Sequence, residues 1–203
     1  MKKQHVVIIV SLLFISQIVL SQENFRLNKN NSEITVEGTS SVHDWEMVAK
    51  EMTANLQLKI EDKNIHEILN VNFSMPTEKL ESDNSIMNKK SWSALKSNKH
   101  ASIHFKLKAV SGFSITGTSF TGTANGTLTI AGKSVPSTIP FSGTVRNGNS
   151  ITISGKEKIN MRDFDVDPPT AMMGTLKTGE EVTIKFKMDF TAESQYTDLI
   201  RTE

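Results

Sequence analysis

Apolar residues fall at every second position through much of this chain. Residues 182–190 read Val-Thr-Ile-Lys-Phe-Lys-Met-Asp-Phe, five apolar positions separated by four polar ones. The same period picks out Ile34 and Val36, then Val71, Phe73 and Met75, then Ile103, Phe105 and Leu107. Successive side chains of a strand point to opposite faces, so each set builds one apolar face and one wet face, as antiparallel sheets do. Further strands are expected over residues 46–60, read as one long strand, and over 119–130, 134–145 and 150–161. Asn147 and Gly148 separate the last two, and Asn-Gly favours a type I′ hairpin because both central residues need positive φ. Gly132 and Lys133 mark another tight turn. Short strands, regular turns and abundant Thr and Ser predict an all-β sandwich or barrel.

Two stretches break the pattern. Asp83 or Asn84 can cap a helix running to about Ser97. In it Met87, Ser91, Ala94 and Leu95 share one side, with Trp92 near the middle. A single amphipathic helix among strands must lie on a sheet face or across an open barrel end. Residues 160–180 hold Phe164, Pro168, Pro169, Met172 and Met173. That is too long for a turn and too apolar for a solvated linker, so a loop packing over something as a lid is expected. Trp45 and Trp92 read as packing anchors.

The N-terminus has the layout of a secretory signal peptide: Lys2 and Lys3, an apolar run over residues 6–19, and a modest-sized Val19-Leu20-Ser21 end. That run is shorter than the roughly 20 residues that span a bilayer. Cleavage after Ser21 leaves a domain over residues 22–203, with its core over 25–190 and a polar tail over 193–203. No integral membrane segment then remains, and no cysteine follows to carry a lipid anchor. Periplasmic or secreted localisation is expected. Loss of Lys2 and Lys3 turns a net charge of +1 into −1, which leaves no basic footprint for nucleic acid. The absence of cysteine removes disulfides, thiol catalysis and thiolate metal sites.

Catalytic and metal motifs fall short of what their chemistry needs. His66-Glu67 begins like a zinc-protease motif, but Asn70 stands where the second histidine belongs. His100 and His104 are four apart, a spacing that chelates on a helix but spans roughly 13 Å along a strand. Asp163, Asp165 and Asp167 are spaced like a calcium loop, yet Pro168 occupies the glycine position. Ser40, Ser41, His43 and Asp44 lack the Gly-x-Ser-x-Gly elbow of a hydrolase. His43 is expected to brace its turn instead. The reading is of a protein that is not an enzyme and has neither metal nor cofactor. An esterase using Ser40 and His43 remains the catalytic alternative.

Several segments together resemble one family. Gly126-Thr127-Leu128-Thr129-Ile130-Ala131-Gly132, followed by Val135-Pro136 and Pro140-Phe141, looks like the central hairpin of the YceI-like lipid- or polyisoprenoid-binding family. Gly38 to Trp45 resembles the first hairpin of its Bacteroidetes-type members. Met161-Arg162-Asp163-Phe164, Pro168-Pro169, Met173-Gly174 and Gly179 to Val182 resemble its closing loop and last strand. The resemblance covers about residues 25–190. It implies an antiparallel lipocalin-like β-barrel of about eight strands with one short α-helix, exported, and holding a long isoprenoid in its interior.

An eight-stranded barrel is either filled by side chains or holds one small ligand. The apolar lining expected to meet a lipid is Ile34, Val36, Phe73, Ile103, Phe105, Leu107, Leu128, Ile130, Ile184 and Phe186. Val71, Ile151, Ile153 and Met188 also face inward, and Phe164, Met172 and Met173 are expected from the loop. Such an interior offers no hydrogen bonds and suits hydrocarbon. Burying roughly 400 Å² of lipid at about 25 cal/mol/Å² is worth about 10 kcal/mol before ordering costs. The expected partner is therefore a bound polyisoprenoid or other lipid, with a homodimer compatible. The alternative is an envelope or secreted interaction protein whose barrel is filled.

Overall fold

The computed structural model describes residues 21–61, 64–146, 150–171 and 176–193. Residues 1–20 of the proposed signal peptide, the Asn147-Gly148 turn, Met172, Met173 and most of the polar tail lie outside them; Ser21, the last residue before the proposed cleavage, is the first of the described residues.

Twelve strands form an antiparallel barrel with eight staves. The first stave is β1 (Ser21–Leu27), a 3-10 turn at Lys29–Asn31, and β2 (Glu33–Ser40). The second is β3 (Trp45–Ala49) and β4 (Thr53–Glu61). Then follow β5 (Asn64–Pro76), β7 (Ser102–Thr116), β8 (Ser119–Ile130), β9 (Lys133–Arg146), β10 (Ser150–Asn160) and β12 (Leu176–Ala192). Each stave pairs with the next, and β12 closes the ring by pairing with β2 through Ile184↔Val36 and with β1 through Leu27↔Phe190. The two-residue strands β6 (Leu80–Glu81) and β11 (Thr170–Ala171) extend β3 and β12 at one end of the barrel.

The expected single strand over residues 46–60 is broken at Lys50–Met52. The cause lies in the burial parity. Met47 and Ala49 are buried at odd positions, Met52, Ala54, Leu56 and Leu58 at even ones. A strand of strict period two cannot turn both sets inward, so the chain slips by one residue, as in a bulge. Lys50 N–H donates to the Lys79 carbonyl at 2.8 Å across this break. The first stave shows the same parity change, from Phe25 and Leu27 to Ile34 and Val36.

The helix α1 (Ser85–Ala94) is capped by Asn84, whose side chain accepts from the Ile86 and Met87 amides. It ends three residues before the expected Ser97, where Lys96 turns to φ 55. Trp92 anchors it by donating from Nε1 to the Leu80 carbonyl at 2.9 Å. Buried Asn88 exchanges hydrogen bonds with Ser82.

The irregular stretch is shorter than expected. Met161–Phe164 forms a 3-10 turn, and β12 starts at Leu176, six residues before the alternation becomes visible at Val182. A register shift between Thr178 and Val182 hides the period there. The expected β10 and β8 boundaries agree with the structure to within a residue.

Two cores stack along the barrel. At the end away from α1, Phe25, Leu56, Leu58, Phe120, Ile151 and Phe190 pack together. Phe120 there meets Phe113 at 5.9 Å and Phe141 edge-on at 6.3 Å. At the helix end Ile34, Met47, Met75, Leu80, Phe164 and Val166 pack together.

Candidate functional site

Between the two cores the barrel is hollow. A cavity of about 520 Å³ runs from the α1 end down into the lower core, within the range of small-molecule sites. The strands deliver the expected wall. Ile34 and Val36 come from β2, Phe73 from β5, and Ile103, Phe105 and Leu107 from β7. Leu128 and Ile130 come from β8, Ile184 and Phe186 from β12, and Phe164 from the 3-10 turn. Val71, Ile153 and Met188 line it as well. Ile151 does not; it lies below the cavity in the lower core, 2 % exposed.

Glycines keep the hollow open. Gly38, Gly122, Gly143 and Gly155 occupy inward positions directly opposite Trp45, Phe141, Phe120 and Phe186. Each partner ring lies over its glycine: a Cβ built on Gly155 would sit 2.5 Å from Phe186 Cζ, and one on Gly143 2.1 Å from Phe120 Cζ. An aromatic side chain that finds no Cβ across the strand can lie flat on the wall rather than project into the lumen. Trp45 therefore does more than anchor packing. Its indole covers Gly38, lines the cavity, and donates to the Thr39 carbonyl at 3.0 Å.

The helix covers one end. Met87, Ser91, Ala94 and Leu95, the side read from the heptad-like spacing, all line the cavity. Two lysines of the helical segment bridge to the loop opposite, Lys90 Nζ to the Thr170 carbonyl and Lys96 Nζ to the Asp165 carbonyl, each at 2.9 Å. Val42 and Ile86 also border the cavity and are 61 % and 67 % exposed.

The polar residues at this end are committed to local structure. Ser40 Oγ donates to the His43 carbonyl at 2.7 Å and accepts from the Val42 and His43 amides. It faces backbone rather than the imidazole, whose Nδ1 lies 2.6 Å from the Asp44 carbonyl. His43 thus braces the first hairpin. His104 is exposed on the outer face, and the ring of His100 packs under Gly132. Asp165 pairs with Lys133 and Asp167 with Arg162. The Lys133 hydrogen bond and charge hold the Asp165 carboxyl below the ordinary range. Among the described residues no cluster of three or more His, Asp or Glu side chains is placed to hold a metal, and no helix is long and apolar enough to cross a membrane.

Of the wall residues that the sequence reading did not place, among them Ile68, Ile139, Ile159 and Val182, one is acidic. Glu157 lines the cavity from β10. Its signal was present: it continues the inward series Ile151, Ile153, Gly155 at period two. Loss of hydration raises its carboxyl above the ordinary range.

Known structures share this architecture at low identity. The crystal structure of Burkholderia cenocepacia BcnA superposes with a TM-score of 0.61 at 19% identity, covering 80% of this chain and 98% of its own. A polyisoprenoid binding domain from Saccharophagus degradans, implicated in plant cell wall breakdown, gives 0.66 at 10% identity, covering 83% and 98%. The Campylobacter jejuni YCEI protein gives 0.57 at 18% identity, covering 72% and 83%. No curated protein sequence matches the chain. The YceI-like domain model matches residues 25–190, from the first buried residue of β1 to the last of β12. With all but the outermost residues of β1 and β12 inside that match, the chain belongs to the YceI-like domain family.

Proposed function

We propose that this protein is an exported, non-catalytic lipid-binding barrel that holds a long apolar ligand, a polyisoprenoid or similar lipid, as carrier or store. The observation that carries the reading is the 520 Å³ hollow with an almost wholly hydrocarbon wall. Water gains few hydrogen bonds in such a space, whereas an alkyl or isoprenoid chain loses its exposed surface there. The Saccharophagus degradans domain of similar fold is a polyisoprenoid binding domain, which supports the ligand class. The signal-like layout of residues 1–21 supports export to the periplasm or beyond. A barrel filled by its own side chains, acting only through its surface, would have no such hollow.

Native mass spectrometry of protein made in cells with intact membranes tests this. A mass increment that transfers to an organic extract as lipid is the expected result. Apo mass alone, with empty extracts, overturns the proposal.

A further inference from the structure

The cavity wall carries a single acidic side chain among the described residues. Glu157 lies opposite Ile184 of β12, Ile184 opposite Val36 of β2, and Val36 opposite Met47 of β3. Its level of the barrel is therefore apolar on these neighbouring strands. The next inward level toward the helix end is Ile159, Val182, Gly38 and Trp45. Glu157 sits two residues below that rim, roughly 7 Å along the strand.

No described residue satisfies it. Glu157 makes no hydrogen bond or ion pair with any of them. Of the two lysines that line the cavity, Lys90 gives its ammonium to the Thr170 carbonyl and Lys177, exposed at the mouth, pairs with no described carboxylate, Glu157 included; Lys133, outside the lining, gives its own to Asp165. Other carboxyls with perturbed acidity, Glu51 and Asp165, are held low by a lysine, whereas Glu157 is raised by burial alone. A carboxylate facing apolar wall costs stability that leucine at the same place would not. The site is completed when something entering the cavity brings a donor.

We propose that Glu157 is the polar anchor of the cavity and selects amphiphiles whose head donates a hydrogen bond, long-chain alcohols or amines, over those with an anionic head. This rests on the lipid-binding reading above and adds the head chemistry to it. The apolar tail lies along Phe73, Phe105 and Phe186, and the head meets the carboxylate below the rim. A phosphate or carboxylate head at that depth would face like charge in a poorly hydrated space.

The test uses the delipidated mature chain and displacement of an environment-sensitive apolar fluorophore. Competitors are geranylgeraniol, hexadecylamine, geranylgeranyl phosphate, palmitate and the headless squalene. Wild type is expected to bind the alcohol and the amine about tenfold or more tighter than the two anions, the scale of one charge-assisted hydrogen bond. Glu157→Gln keeps an acceptor without charge, so it holds the alcohol within about threefold and narrows the gap to the anions. Glu157→Leu weakens the alcohol toward squalene and leaves squalene unchanged. Identical preference ratios in all three proteins overturn the anchor while leaving lipid binding intact. Failure of every competitor, squalene included, to displace the fluorophore overturns the lipid-binding reading and the anchor with it.

Discussion

Gly38→Ala tests whether the barrel stays hollow because aromatic rings lie on glycines. The added methyl would sit 2.2 Å from Trp45 Cζ2, 2.6 Å from Cε2 and 2.8 Å from Cη2, against an ordinary contact of at least 3.4 Å. The indole must therefore withdraw by about 1 Å, and the open direction is the lumen it lines. Withdrawal stretches the 3.0 Å bond from Nε1 to the Thr39 carbonyl. Loss of that bond costs about 1 kcal/mol, and overpacking adds about 1–3 kcal/mol. Destabilisation of about 2–4 kcal/mol is expected. Urea unfolding followed by far-UV circular dichroism measures it in every background, and Trp45 emission is read separately in a Trp92→Phe background so that Trp45 alone reports. A Trp45→Leu background removes the clash, so the cost of Gly38→Ala should largely vanish there, giving a coupling energy well above the few tenths expected of independent sites. Affinity for apolar probes should fall with the reduced volume. The reasoning is refuted if Gly38→Ala costs under about 0.5 kcal/mol, leaves Trp45 emission unmoved, and costs the same in both backgrounds.

Leu58→Ala empties a fully buried position in the lower core and should lower stability by about 2–5 kcal/mol, read as a fall in the urea midpoint at unchanged slope. Asn84→Ala removes the cap that accepts from the Ile86 and Met87 amides; a loss of about 1 kcal/mol is expected, with faster hydrogen exchange in α1 than in the barrel strands. Carboxyl-carbon NMR should find Asp165 titrating below and Glu157 above the ordinary range, and Lys133→Ala should move only Asp165 back upward. The signs differ. The lowered Asp165 favours the fold above its unfolded-state pKa and ceases to as pH falls through its folded value, whereas the raised Glu157 disfavours the fold as pH rises from its unfolded-state to its folded value, a slope that Glu157→Gln removes.

Much of the barrel was legible because a strand writes its burial into the sequence at period two. β8 and β10 needed no tertiary information: their apolar and polar sets never change parity, and turns bound them. The helix side bearing Met87, Ser91, Ala94 and Leu95 was likewise readable, since helical spacing alone decides which side chains share a face. Alternation failed where the chain slips, by one residue at Lys50–Met52 and by two on β12 between Thr178 and Val182. Lys50–Met52 and Thr178–Val182 both shift register, so one expected strand proved to be two and β12 began earlier than its visible pattern.

What the sequence determined alone was local: extended segments, their apolar faces, the capped helix, and a family resemblance spread over several short motifs. Only the tertiary structure decided which faces converge and what remains between them. Phe186 and Gly155 lie 31 positions apart, and nothing in either segment announces that the ring lies over the glycine. The same holds for Glu157, a polar residue in an apolar series until neighbouring strands enclose it. A hollow is a property of side chains that fail to meet across a closed sheet, and that depends on distances between staves which no single stave encodes.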